Sequence, residues 1–148
     1  MGTKYQGTTR EIQALNTYIK LQRAAETSLS RTTRLLSDYN LTVSQFGVLE
    51  SLYHLGSMSQ RDLAEKLLKS TGNMTSVLKG MEKRNLIQRT RSEADNRYME
   101  VTLTPKGHTL ISEYFPKHVS IIVDDMAVLT EDEQIQLAAL CRKLGLQE

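Results

Sequence analysis

Apolar residues recur along the chain in two rhythms, and the changes between them mark its elements. From Glu11 to about Leu36 there is neither glycine nor proline. Ile12, Leu15, Ile19, Leu29 and Leu36 fall at spacings that sum to sevens, with Gln22, Glu26 and Thr33 at other positions of the same seam. That period predicts one helix of about 26 residues, roughly 39 Å long. A helix of this length outruns a single small core, and its partly polar seam predicts a subunit contact rather than a deep interior.

The middle of the chain is denser in signals. Thr42-Val43-Ser44-Gln45 opens a helix that carries Phe46, Val48, Leu49, Leu52 and Tyr53 and stops near Gly56. Ser59-Gln60-Arg61-Asp62 has the shape of a capping box, with Asp in place of the usual Glu. The short helix it heads is expected to bury Leu63, Ala64, Leu67 and Leu68. Ser70 begins a further helix with the apolar face Met74, Val77, Leu78 and Met81, ending at Asn85, a residue tolerant of the left-handed conformation. Two short helices joined by a tight turn predict a helix-turn-helix.

From Leu86 the period becomes two. Ile87, Arg89 and Arg91 alternate, as do Met99, Val101 and Leu103, and the polar SEADNR between them predicts a hairpin loop. Thr104-Pro105 restarts a helix, with Thr as N-cap and Pro at the first helical position. Pro116 is expected to kink or break it after Phe115. Thr130-Glu131-Asp132-Glu133 caps a last helix whose apolar set is Ile135, Leu137, Ala138, Leu140, Cys141 and Leu144. The predicted class is mainly α with a small β-hairpin wing: a winged helix-turn-helix flanked by N- and C-terminal helices.

Composition narrows the chemistry. The 148 residues suit one domain, and 39% apolar with 24% charged residues excludes a disordered chain. No apolar run approaches the roughly 20 residues of a spanning helix, so no membrane partner is expected. The N-terminus lacks the apolar stretch of a secretory signal, which makes the cytoplasm the expected compartment. One cysteine, Cys141, excludes a disulfide framework and a cysteine-rich zinc site. His54, His108 and His118 lie far apart without paired spacing, so neither a metal nor another cofactor is expected. No nucleophile–base arrangement, paired carboxylates or phosphate-cradling loop is recognisable, and no enzyme is predicted. The net charge of +2 conceals an uneven distribution: +3 over residues 1–40, −1 over 41–56, +4 over 57–106 and −4 over 107–148. A basic middle between neutral and acidic flanks points to a polyanion partner.

The segments LTVSQFGVLESL, SQRDLAEKLLKSTGNMTSVLKGMEKRNLI and DNRYMEVTLTPKG resemble the MarR family of bacterial transcription regulators. The last fits the family's wing pattern, with Asp95, Arg97, and Leu103-Thr104 after five intervening residues. Asn85 stands where the family usually has glycine. The resemblance covers nearly the whole chain. It implies a single domain over 1–148, with dimerisation helices at about 10–38 and 105–146. The winged helix-turn-helix would occupy about 41–104, its helix-turn-helix about 58–84 and its wing about 86–103.

The implied partner is double-stranded DNA, bound by a homodimer on a pseudo-palindrome. Ser70, Thr71, Asn73, Thr75, Ser76 and Lys79 are the candidate contacts of the recognition helix. Asn73 has the chemistry for adenine, and Lys79 for phosphate or guanine; Ser70 doubles as the candidate helix cap. On the wing the candidates are Arg89, Arg91, Asn96 and Arg97. By resemblance Arg97 reads the minor groove and Asp95 orients it. Family members commonly answer small aromatic or amphipathic effectors, and Tyr39, Phe46, Tyr53 and His54 are the candidate lining. Family members that sense peroxide carry a cysteine near the start of the first helix, absent here. Cys141 is expected to be buried and inert on the last helix. Two other readings stay open: a winged-helix module for protein partners, which would call for a neutral or acidic recognition face, and a redox-responsive regulator acting through Cys141.

Overall fold

The computed structural model describes residues 2–147. In chain order it holds helix α1 (Thr9–Thr32), a 3-10 helix (Arg34–Tyr39), α2 (Val43–Leu55), strand β1 (Met58–Ser59), α3 (Gln60–Lys66) and α4 (Thr71–Lys83). Strands β2 (Ile87–Arg91) and β3 (Met99–Leu103) follow, then α5 (Pro105–Met126) and α6 (Glu131–Leu146). The chain divides into two units: one runs from the N-terminus to Arg34 and resumes at Ser120, and the other is Leu35–Val119.

Hydroxyl side chains set the helix starts. Thr8, Thr42 and Thr130 each accept the amide of the third helical residue, and Glu11, Gln45 and Glu133 bond back to the cap amide, completing capping boxes. Ser59 makes only its own half of the box: Asp62, one methylene shorter than glutamate, donates its amide but returns no bond. Ser70 caps α4 by accepting the Asn73 amide at 3.2 Å. Thr104 caps α5 by accepting the Gly107 amide at 3.0 Å.

Three expectations are corrected in the helices. First, α1 stops at Thr32, and the 3-10 helix takes the chain onward. The adjacent Thr32 and Thr33 hydroxyls donate to the Ser28 and Leu29 carbonyls, and such back-bonding from β-branched residues weakens a helix at its end. Leu36 therefore leaves the seam and joins the core of the second unit. Second, Leu68 is not on the buried stripe of α3. It sits at φ 51°, closing the helix through the bonds Leu68 N–H to Glu65 carbonyl and Lys69 N–H to Ala64 carbonyl, and is 94% exposed. Third, α5 is not broken after Phe115 but runs on through Pro116 to Met126. The ring removes one helical bond, but Ile111 and Tyr114 before it and His118 after it are buried and hold the helix across the gap.

The second unit owns the core. Phe46, Val48, Leu49 and Leu52 from α2 pack with Leu63 of α3, Met74, Leu78 and Met81 of α4, and Ile87, Val101, Ile111 and Tyr114. The hairpin pairs Ile87 with Leu103, Arg89 with Val101, and Arg91 with Met99. β1, too short to show a period, adds a third antiparallel strand in the order β1-β3-β2. In the first unit, Asp125 of α5 accepts from Ser28 Oγ at 2.6 Å and pairs with Arg31. The α6 stripe is left largely uncovered: Ile135, Leu137, Leu140 and Leu144 are exposed, and so is Cys141, correcting the expectation of a buried thiol. No helix among the described residues is long and apolar enough to cross a membrane.

One junction fixes where α4, the hairpin and α5 meet. Asn85 at φ 56° ends α4 in a Schellman turn, with Leu86 N–H to the Met81 carbonyl at 3.0 Å and Asn85 N–H to the Glu82 carbonyl at 2.8 Å. Asparagine thus does the backbone work of glycine. The LTPKG segment closes on this turn: Thr104 N–H donates to the Leu86 carbonyl, Thr104 Oγ1 to the Asn85 carbonyl at 2.6 Å, and Lys106 Nζ to the Arg84 carbonyl at 2.9 Å. A Cβ at Gly107 would lie 2.0 Å from the Leu86 carbonyl oxygen, a backbone atom that cannot swing away. Gly107→Ala is expected to destabilise the protein by about 3 kcal/mol, read as a lower denaturant midpoint with unchanged slope.

Candidate nucleic-acid interface

Helix α4 is two-sided. Met74, Leu78 and Met81 are buried, which removes Met74 from any role on the outer face. Thr71, Asn73, Thr75, Ser76 and Lys79 are exposed. Two of the candidate hydroxyls have internal duties: Ser70 is the cap, while Thr75 donates to the Thr71 carbonyl at 2.9 Å and accepts from Gln60 Nε2 at 2.7 Å. Free amides of the first turn and the positive end of the helix dipole lie at the same end and favour an anion there.

The wing carries its cations in unlike ways. Arg97, near the hairpin tip, is 83% exposed at its side chain, and Asp95 grips it. Nε and Nη2 donate to the two carboxylate oxygens, and the Arg97 amide adds a bond of 3.0 Å to Oδ1. Those hydrogen bonds hold the Asp95 carboxyl below its ordinary range and raise the guanidinium. The guanidinium edge that Asp95 does not hold remains available. Asn96 and Arg91 are exposed. Arg89 is not: its Nε and Nη2 both donate to Glu82 Oε2 of α4, at 2.9 and 2.5 Å.

Thr71 and Arg97 line one open recess of about 210 Å³ with Gln60, Arg61 and Tyr98. Arg61 is the member the motif left out: it follows the α3 cap, and only the folded arrangement brings it beside the wing.

The aromatic candidates separate into two linked groups. Tyr39 and Phe46 stand edge-on to Tyr114, with centroids 5.0 and 5.3 Å away, and Phe46 lies 4.5 Å from His118. Tyr53 and His54 gather around Phe115, and Tyr53 also meets His108. Sequence reading missed Tyr114, Phe115, His108 and His118. Tyr114 Oη and His118 Nδ1 are buried without a hydrogen-bond partner, and burial pushes the Tyr114 phenol up. Lys117 Nζ donates to Tyr39 Oη at 2.5 Å and stands 5.2 Å from that ring's centroid. No group of three or more metal-ligating side chains occurs among the described residues.

A helix-turn-helix with a hairpin wing, its exposed polar helix end and its arginine finger on one rim, defines a winged-helix nucleic-acid-binding class. A profile described as the MarR family matches residues 41–98. The transcriptional regulator MhqR of Bacillus subtilis (strain 168) is 29% identical over 134 residues, spanning 90% of this chain and 92% of that one. The transcriptional repressor MdtR of the same strain is 31% identical over 105 residues, spanning 71% and 68%. A solved structure of Bordetella bronchiseptica BpsR, whose DNA binding is regulated by 6-hydroxynicotinic acid, matches at a TM-score of 0.78 with 27% identity, over 87% of this chain and 98% of that one. The chain belongs to the MarR family and is a DNA-binding transcription regulator.

The hydrogen bonds from Arg89 are the main cause holding the Glu82 carboxyl below its ordinary value. A lowered carboxyl stabilises the fold fully above the unfolded glutamate value and loses that contribution as pH falls through the folded one. Acid unfolding followed by circular dichroism is expected to shift to lower pH in Glu82→Gln relative to the native chain once both are matched for stability at pH 7, because the variant has no carboxylate contribution to lose on acidification.

Proposed function

We propose that the protein represses transcription as a homodimer on a pseudo-palindromic operator and is released by a small aromatic effector. The observation that carries the DNA geometry is Arg97, a solvent-exposed cation on a thin hairpin, held in direction by Asp95. Such a finger suits the minor groove, where narrowness concentrates negative potential. The exposed end of α4 then enters the adjacent major groove with Thr71, Asn73, Thr75, Ser76 and Lys79, while Arg91 and Asn96 flank the backbone. Ser70 serves as the cap that presents the helix end.

The dimer is supported by apolar surface with no cover in one chain. Leu15, Tyr18 and Leu29 on α1 and Ile135, Leu137, Leu140 and Leu144 on α6 are exposed. Burying a leucine or isoleucine side chain contributes about 1.5–3 kcal/mol, so a second copy covering these stripes gains enough to offset association. Two lobes related by a two-fold axis then meet half-sites about one helical turn apart.

The effector site is the aromatic group around Tyr39, Phe46, Tyr53 and His54, supplied with polarity by Tyr114 Oη and His118 Nδ1, which hold no partner. A hydroxylated aromatic acid offers both stacking and the missing bonds. The name of MdtR supports repression, and the regulation of BpsR by 6-hydroxynicotinic acid supports the ligand class.

Fluorescence anisotropy with duplex from upstream of the protein's own gene, beside a random duplex at two salt concentrations, tests the reading. Selective binding with a steep salt slope is expected; equal weak binding to both would leave only the electrostatic contribution. Arg97→Ala is expected to lower selective affinity at least tenfold with fold and dimer intact, and Lys79→Ala to flatten the salt slope by about one unit. In release assays with a panel of phenols and aromatic carboxylates that includes 6-hydroxynicotinic acid, Tyr114→Phe is expected to raise the effector concentration for half release while leaving duplex affinity unchanged.

A further inference from the structure

We propose that Arg89 is a positioning residue, which sets the wing against the recognition helix through Glu82 and makes no contact of its own with DNA. The inference rests on the wing's role in DNA binding.

Arg89 follows α4 by six residues, yet its guanidinium turns back to the last turn of that helix and gives two donors to one Glu82 oxygen. Both side chains are largely covered, at 21% and 32% exposure. The strand explains the direction. Ile87 and Arg89 share a face of β2, Ile87 is buried, and Arg89 pairs in register with the buried Val101. The guanidinium therefore lies at the edge of the core, against α4. Arg91, on the same face one step nearer the tip, is exposed.

Glu82 breaks a local rule. A carboxylate in the last turn of a helix faces the negative end of the helix dipole, and an unpaired one beside a nucleic acid repels it. The Arg89 pair removes both objections and consumes the arginine's charge, so Arg89 is not a free cation for phosphate. It instead bridges α4 to β2 across the connection at Arg84–Leu86.

The consequence is leverage. The backbone from Arg89 to Glu93 extends about 13 Å at about 3.3 Å per residue. A swing of about 15° at the base displaces the tip by about 3 Å, beyond what a hydrogen bond tolerates. Arg97 rides on that tip. Placing it in the groove while α4 occupies its neighbour requires the hairpin to hold one angle, and Glu82–Arg89 is the polar tie at its base.

The test uses the full-length dimer and a duplex selected by the native protein from a random-sequence pool, with anisotropy titrations over a range of salt. Four variants are compared: Arg89→Ala, Glu82→Gln, the exchanged pair Glu82→Arg with Arg89→Glu, and Arg97→Ala; thermal melts confirm folding. Expected are at least tenfold losses of affinity in Arg89→Ala and Glu82→Gln with the native salt slope, and recovery to within about threefold of native in the exchanged pair. A salt slope lower by about one unit in Arg89→Ala, with Glu82→Gln at native affinity, would make Arg89 a phosphate contact and overturn the assignment. Failure of the exchanged pair to recover, in a protein that melts as the native one does, overturns it too. Native affinity in Arg97→Ala would instead remove the wing from DNA binding, and the positioning role with it.

Discussion

The architecture of the DNA-binding unit turns on the absence of one side chain. Because Gly107 has no Cβ, the start of α5 can lie against the Leu86 carbonyl, closer than any other residue allows. That approach lets Thr104 and Lys106 reach the carbonyls of Asn85 and Arg84, so the end of α4, the start of β2 and the start of α5 share one hydrogen-bonded knot. Three elements leaving one knot have few relative freedoms. Helix α4 and the hairpin are thereby held as parts of one body, as the proposed reading of two grooves at once requires.

Charge is arranged on the same principle. Of the cations that a count places in the basic middle, several have internal duties. Arg84 bonds the Asn40 and Tyr39 carbonyls, Lys106 the Arg84 carbonyl, and Arg89 Glu82. Arg97 is both gripped and presented, its partner Asp95 being fixed by the same loop. Net charge thus reveals the kind of partner but overstates how many groups meet it. The distinction between a cation that builds the surface and one that faces the ligand exists only in the fold.

What was legible in the sequence follows from range. Helix starts depend on a residue and its third neighbour, so Thr42, Ser59, Ser70, Thr104 and Thr130 could be read in advance. The alternation of β2 and β3 carried the wing, and LTPKG carried α5. The misreadings share a cause: each needed a distance the sequence does not print. Leu68 looks like one more apolar residue until α3 closes beneath it. Cys141 looks buried until its helix is seen without cover. The path of α5 through Pro116 depends on buried anchors on either side, and Tyr114 and His118 reach Phe46 only because α5 returns to α2.

The same long-range packing ties the aromatic group to the DNA-binding surface without a separate device. Tyr39 presents its ring to Tyr114 and its hydroxyl to Lys117, while its backbone carbonyl accepts from Arg84 at the end of α4. Asn40, at φ 51°, adds its own carbonyl to the same guanidinium. The Tyr39 ring thus sits on the same residue whose backbone carbonyl Arg84 holds, and Arg84 belongs to the knot from which α4 and the wing depart. Coupling between two sites requires that each favour a different arrangement of something they share. For the proposed effector response the shared element would be the Tyr39–Asn40 turn, which lies beside the aromatic group and holds Arg84 at the end of α4.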